Sequence, residues 1–508
     1  MKNKYALISV FEKKNIKEIC QVLTKFNIKI ISTESTTKHI QKIGFKANPI
    51  EKYTKFKEIL DGRVKTLHPS IHASILFNRQ NKKHVLEFNK LNFPLIDFLV
   101  VNLYPFKKIM NTNKNKNHII EMIDIGGLTM LRSGSKNFNS VTTICDINDY
   151  SDFKNNLIKN NGKTDLKFRK KMASKVFNTT SDYDLNISNW LDKKKHSNIK
   201  ITNHNKVNLR YGENPHQKAF LYKKIQNKKN IYESIVKTGK ELSYNNIVDI
   251  DNAFNSISEF KAPTCIIIKH NNPCGVATNN NLITAYINAL KTDLESSFGG
   301  IVAVNRRIGE KIAKKMISNF YEIILAPKFS NKALMIFKKR KNLILLETKN
   351  ILPNTNSEIK SINNGYLIQE KNKVIFKKQD MLCVSEKKAS KELIDDMIFG
   401  FRVSKYLNSN SIVLVKNKKT ISIAGGQTSR INATRIALSK LSNNSKKNGF
   451  IVASDAFFPF EDNIKLLINN NCKAIIQPKG SLNDQKIIKF ANKNNLPLYF
   501  SKYRFFKH

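Results

Sequence analysis

The chain has 508 residues, with 88 Lys or Arg against 39 Asp or Glu, a formal net charge of +49 at pH 7; 41% of residues are hydrophobic and 25% charged. That length supports two or three domains, and that balance excludes wholesale disorder and a collagen-like chain. The six Cys are scattered without a C-x-x-C pair, which argues against a zinc site or a disulfide framework and suits a reducing, cytoplasmic setting.

Tyr5–Val10 reads as a strand, Ile16, Ile19, Cys20, Leu23 and Phe26 fall at helical spacing, and 28–31 returns as a strand. MKNKYALISV has no long apolar run ahead of that first strand, so no export leader is expected. No stretch approaches the roughly 18 apolar residues of a membrane span. Residues 98–104 form a strand stopped by Pro105, a helix opens within 123–137, and 141–145 is the next strand. This alternation predicts a mostly parallel sheet covered by helices on both faces. A polar stretch at 192–208 marks a boundary, giving domains over 1–197 and 198–508. Beyond it, PTCIIIK, SIVLVK, TISIA, FIVAS and KAIIQP are strands that run into polar or Gly-bearing loops. Two doubly wound α/β domains are expected, with no solenoid repeat.

The charge invites a nucleic-acid partner, but its makeup opposes one. About 12 of the basic residues are Arg and about 76 are Lys, spread along the whole chain. Arg is the residue for bidentate phosphate recognition, whereas Lys is a solvated point charge. A basic surface without a specific nucleic-acid role is expected.

Ligands of parallel α/β sheets collect beyond the carboxyl ends of strands, so strand-to-loop junctions carry the chemistry. In DGRVKTLHPSIH, Arg63 and Lys65 share a face with Thr66 close behind, either an anion clamp or a basic turn; His68 and His72 lack the glutamate of a zinc motif. In IDIGGLTMLRSGSKN, Gly126–Gly127 open a helix where backbone N–H groups favour an anion, and Arg132 and Lys136 follow on one face. In CIIIKHNNPCG, four apolar residues end in Lys269–His270 and Asn272–Pro273 turns the chain. Either the pair is a surface Lys beside a core-capping His, or its desolvation poises His270 as a general base. SDAFFPF sets Asp455 before three Phe, a core plug or an aromatic platform; GGQTSR is a second phosphate-type cradle.

Taken together and in order, ALISV, DGRVKTLHP, VVNLYPF, IDIGGLTMLRSGSKN, LRYGENPHQ, ELSYNNI, IIIKHNNPCGVA, SSFGGIVAVNR, SNSIVLVK, GGQTSRI, SDAFFPF and RFFKH resemble the bifunctional AICAR formyltransferase/IMP cyclohydrolase family over the whole chain. The resemblance implies an N-terminal methylglyoxal-synthase-like cyclohydrolase domain, a C-terminal cytidine-deaminase-like formyltransferase region, and a homodimer with transferase sites at the subunit interface. It implies formyl transfer from 10-formyltetrahydrofolate to AICAR, then dehydrative closure of FAICAR to IMP, without a metal. By position it makes Lys269 the oxyanion stabiliser and His270 the proton acceptor, with Asn410 beside them. Arg210 and Tyr211 would hold the nucleotide, with His216, Gln427 and Arg430 around it; Asp455, Phe457 and Phe458 would face folate, and Arg504 and His508 form the terminal motif. For ring closure it assigns Lys65, Tyr104, Asp124 and Lys136 to the ring, and Arg63, Thr66, Gly126, Gly127 and Asn137 to substrate binding. One departure stands out. Glu34 and Ser35 replace two glycines of the family's Ser-Thr-Gly-Gly-Thr loop, which sets beside the bifunctional reading an alternative, a formyltransferase whose ring closure is impaired by a carboxylate that repels the substrate anion.

Overall fold

The computed structural model describes residues 4–91, 93–113, 115–192, 206–222, 231–237, 239–349 and 357–508. The chain divides into two compact units, Met1–Thr202 and Asn203–His508. The boundary expected at 197/198 lies outside the described residues. No helix among the described residues is long and apolar enough to cross a membrane.

In the first unit, β1 (Tyr5–Val10), β2 (Lys29–Ser32), β3 (Ala47–Pro49), β4 (Ile96–Asn102) and β5 (Thr142–Ile144) form an all-parallel sheet in the order β3-β2-β1-β4-β5. Ala6, Ile8 and Val10 enter the core on one face and Leu7 the core on the other. Both faces are therefore apolar and both carry helices, as a parallel sheet requires. Strand order reverses between β1 and β4, so their carboxyl ends open the crevice where ligands of such sheets bind.

The second unit departs from the doubly wound expectation. It has β6 (Lys206–Asn208), β7 (Phe220–Tyr222), β8 (Ile235–Lys237), β9 (Thr264–Lys269), β10 (Asn272–Thr278), β11 (Ile301–Val304), β12 (Ile323–Ala326) and β13 (Ile344–Glu347). There follow β14 (Ser357–Ile362), β15 (Gly365–Glu370), β16 (Met381–Cys383), β17 (Ile412–Lys416), β18 (Lys419–Ala424), β19 (Phe450–Ser454), β20 (Cys472–Pro478) and β21 (Leu498–Ser501). Twelve of them make one mixed sheet, ordered β16-β21-β20-β19-β17-β18-β10-β9-β11-β12-β13-β8. Its parallel runs are interrupted by two antiparallel hairpins, β9–β10 and β17–β18. The strand PTCIIIK therefore does not lead into a crossover helix. It turns back at His270–Asn271, both left-handed (φ 52 and 60), two residues earlier than Asn272–Pro273 suggested. Pro273 lies inside β10, where the register shifts, one of the places a sheet accepts a proline.

The sheet is an internal duplication. Helix 244–257, the β9–β10 hairpin and the parallel strands β11-β12-β13 recur as helix 391–404, the β17–β18 hairpin and β19-β20-β21, and an antiparallel edge strand closes each end. The correspondence holds residue by residue. Asp249 accepts from the N–H of Asn271 at 2.6 Å, and Asp396, at the same helix position, accepts from the N–H groups of Asn417 and Lys418 at 2.8 and 2.6 Å. Asn305 accepts from Thr264 N at 2.9 Å just as Asp455 accepts from Ser411 N at 3.1 Å. The halves meet where β10 and β18 run antiparallel, and the Thr420 hydroxyl bridges that seam to Val276 N and O at 2.9 and 3.0 Å.

Candidate active sites

In the first unit the crevice is built from short polar loops. Asn102 ends β4 and accepts from Phe11 and Glu12 N–H groups at 2.6 and 3.0 Å, pinning the loop after β1. Hydroxyls cluster at the start of helix Glu34–Lys42: Ser32 with Thr37 at 2.6 Å, Thr33 with Thr36 at 3.3 Å and with Ser9 at 3.5 Å. Ser32, Thr33 and Thr36 belong to the loop in which Glu34 and Ser35 replace glycines, whereas Asn102 was outside the residues singled out by sequence.

The expected closure residues mostly converge. Ile59 bridges to Val64 around left-handed Leu60, Asp61 and Gly62, a tight loop that presents Arg63 and Lys65. Asp124 accepts from Gly127 N at 2.7 Å and is held from behind by Tyr183, whose hydroxyl accepts from the Asp124 N–H at 2.9 Å and donates to Met122 O at 2.6 Å. Burial pushes the Asp124 carboxyl up, opposed by the N–H groups of Gly127 and Tyr104 and by the Lys65 charge. Lys65 also lies 3.9 Å from Glu58 and senses Glu34. Both glycines are required by contact rather than by torsion: a Cβ on Gly126 would stand 2.4 Å from Thr66 Oγ1, and one on Gly127 2.6 Å from Asp124 Oδ2. We expect Gly126→Ala to slow ring closure by about 10²-fold through misplacement of Thr66 and to leave formyl transfer unchanged. Separate assays of the two steps check this, and equal losses in both would refute it.

Lys136, Asn137, Arg63 and Glu34 are placed or paired differently from the other expected residues. Lys136 and Asn137 lie at the far end of helix Gly126–Lys136, about 15 Å along its axis from the glycines at 1.5 Å per residue. Asn137 spends its amide on the carbonyls of Ile75 and Phe77, at 2.7 and 3.0 Å. Arg63 is exposed and paired with Glu121. Glu34 points outward to Lys38, 2.6 Å away on the solvent face, and that cation holds its carboxyl below the usual range. Its charge is thus matched within the helix, which removes the ground for expecting impaired closure.

In the second unit the β9–β10 tip carries Lys269 and His270. The Lys269 ammonium donates to Phe298 O at 2.8 Å. His270 is exposed, so burial is not what activates it. Asn272 ties the tip down: its amide donates to His270 O at 2.9 Å and its oxygen accepts from Asn408 N at 2.9 Å. A cavity of about 200 Å³ opens beside the tip, with Lys269, His270, Asn272, Asp293, Ser296 and Lys440 in its walls. Asp293 and Lys440 pair there at 3.1 Å. Exposed Phe298 leans on Phe320, centroids 5.1 Å apart, an aromatic pair next to Lys269.

Asn410 is fixed by the other repeat. Its amide donates to Gln427 O at 2.8 Å and its oxygen accepts from Arg430 at 2.6 Å. Arg430 is 7% exposed and pairs with Asp455, which is wholly buried and also accepts from Ser409 Oγ at 2.6 Å. Arg430 and Asp455 are thus engaged with each other and with the residues behind Asn410 rather than open to solvent. Phe458, 0% exposed, is a core plug, while Phe457 is half-buried. Arg210 stacks on Tyr211 at 4.6 Å, and their segment docks on the start of helix Tyr244–Ile257 through Tyr211 O and Tyr244 N. His216 is exposed on that segment, and Arg504 and His508 are exposed around Phe506.

The first unit is a parallel α/β sheet with Asp124, Lys65 and a hydroxyl cluster at its strand ends, and the second is a repeated mixed sheet with Lys269 and His270 at one hairpin tip, the architecture of an α/β enzyme. The MGS-like domain model matches residues 15–129 and the AICARFT/IMPCHase bienzyme model residues 134–440, and the chain belongs to the AICAR formyltransferase/IMP cyclohydrolase family. Proteins described as the bifunctional purine biosynthesis protein PurH, from Fusobacterium nucleatum and Acetivibrio thermocellus, are each 42% identical over 99% of this chain and 100% of their own length. One from Clostridium botulinum shows the same identity and coverage. The chain is a bifunctional enzyme of purine biosynthesis that formylates AICAR and closes the product to IMP.

Proposed function

We propose that formyl transfer takes place at the β9–β10 tip, with 10-formyltetrahydrofolate as donor. The AICAR 5-amine is conjugated and weakly nucleophilic, so a proton must leave as it attacks the formyl carbon. His270 takes that proton, and Lys269 faces the oxygen that gains charge; collapse then breaks the bond to folate nitrogen. The observation that carries this is the position of an exposed imidazole and an ammonium together on the rim of one cavity. Phe298 and Phe320 offer the flat apolar surface a pterin ring needs, in place of the buried Phe458.

Ring closure is assigned to Lys65, Tyr104 and Asp124, with Thr66 and the Gly126–Gly127 turn holding substrate. The carboxamide nitrogen attacks the formyl carbon and water leaves, so one group must give a proton and another must stabilise charge. Asp124, raised by burial, suits the first and Lys65 the second. A homodimer is supported by the β14–β15 ribbon, which exposes Ile359, Ile362, Tyr366, Leu367 and Ile368; a two-stranded ribbon is marginal in water unless packed. A cytoplasmic setting is supported by six free cysteines. Supplying AICAR and 10-formyltetrahydrofolate to one preparation should yield IMP, with FAICAR as a transient. Accumulation of FAICAR without IMP would overturn the closure half.

A further inference from the structure

The last residues of the chain enter the transferase site by a route the terminal motif did not suggest. Arg504 and His508 stay in solvent, whereas Lys507 between them turns inward. Its ammonium donates to Asn271 O at 3.4 Å, Asn271 Oδ1 at 3.3 Å and Tyr406 O at 3.2 Å. The Asn252 amide grips the same three oxygens from the other side, at 2.6, 2.9 and 3.3 Å. The Lys507 backbone pairs with Ser409, accepting from its N–H at 2.9 Å and donating to its Oγ at 3.1 Å.

This arrangement stabilises little for what it sequesters. An ammonium surrounded by neutral carbonyls, with no ion pair among the described residues, is an expensive group to bury. What it joins is informative. Asn271 follows His270 in the tip, and Ser409 precedes Asn410. One side chain thus spans the repeat that supplies the proton acceptor and the repeat that supplies the amide.

We propose that Lys507 is a positioning residue for formyl transfer, its charged ammonium clamping the His270–Asn271 tip to the Tyr406–Asn410 loop. The proposal rests on the assignment of transfer to that tip. The charged groups acting on Lys507 are Asp249 and Asp251 from helix Tyr244–Ile257, Glu358 from β14, and Lys371 just beyond β15. Burial, aided by the Lys371 charge, outweighs the attraction of the three carboxylates and pushes Lys507 down to about 8. The clamp therefore loses its charge and weakens as pH rises through about 8.

The test is transfer by the full-length Lys507→Met variant across pH 6.5 to about 9.5. At pH 7 its kcat should be about 10- to 100-fold below that of the parent, with KM for AICAR changed less than about threefold and ring closure on FAICAR unaltered. As pH rises through about 8 the parent should lose its advantage, so that the ratio of the two rates approaches one. A ratio independent of pH would overturn the proposal, as would parallel loss of ring closure, which marks general damage. His270→Asn, assayed alongside, separates the two levels: if it keeps transfer, the tip assignment fails; if it abolishes transfer while Lys507→Met matches the parent, only the clamp fails.

Discussion

His270→Asn is expected to lower formyl transfer by about 10²- to 10⁴-fold, the usual contribution of a positioned proton acceptor, while ring closure continues at the parental rate. Asparagine is the informative substitution because the protein already contains it. In the second repeat the matching tip residue is Asn417, with φ 54 against 52 for His270. Alanine there would lack the local side-chain hydrogen bonding that eases a left-handed residue and would blur chemistry with strain. Asn271 and Asp249 should keep their 2.6 Å hydrogen bond in the variant. Parallel initial-rate assays of the two steps decide the matter: transfer within threefold of the parent would remove His270 from the mechanism.

The second large effect concerns stability. Arg430→Leu leaves Asp455 buried and without its guanidinium, a change that costs about 3–5 kcal/mol for such pairs, and frees the Asn410 oxygen. The duplication supplies the remedy. In the first repeat the positions of Arg430 and Asp455 are held by Leu282 and Asn305, and Asn305 makes the matching bond to Thr264 N at 2.9 Å. Arg430→Leu with Asp455→Asn should therefore regain most of the lost stability in urea unfolding, yet stay poor in transfer because Asn410 has lost its anchor. Strictly additive losses in the double-mutant cycle would show that the ion pair is not the coupled unit inferred here.

How much of this was legible in the chain follows from where each signal lives. The apolar runs of β9, β17, β19 and β20 announced themselves because buried strands need little context. The tip did not: a proline after Asn272 is a strong turn signal, and only tertiary pairing shows that Pro273 sits at a register shift instead. Arg430, Asp455 and Phe458 were assigned to ligands on residue type and motif. Whether an Arg–Asp pair faces a substrate or a wall is decided by burial, which has no local signature. The duplication escaped because its unit is long and its resemblance is confined to fragments, IVAVN beside IVASD and IIIKHNN beside VLVKNKK. Lys507 is one lysine among about 76, and its difference from the rest is wholly a matter of place.

The two repeats share a scaffold but divide the labour. The proposed proton acceptor and oxyanion partner come from the first, the amide and its anchor from the second, and the Thr420 seam holds them in register. Neither repeat contains a complete site. On the proposed assignment, transfer needs both halves of the sheet, so neither half alone is expected to formylate AICAR. The second tip, Asn417–Lys418 on its own Asp396 cap, repeats the framework of the first without its histidine.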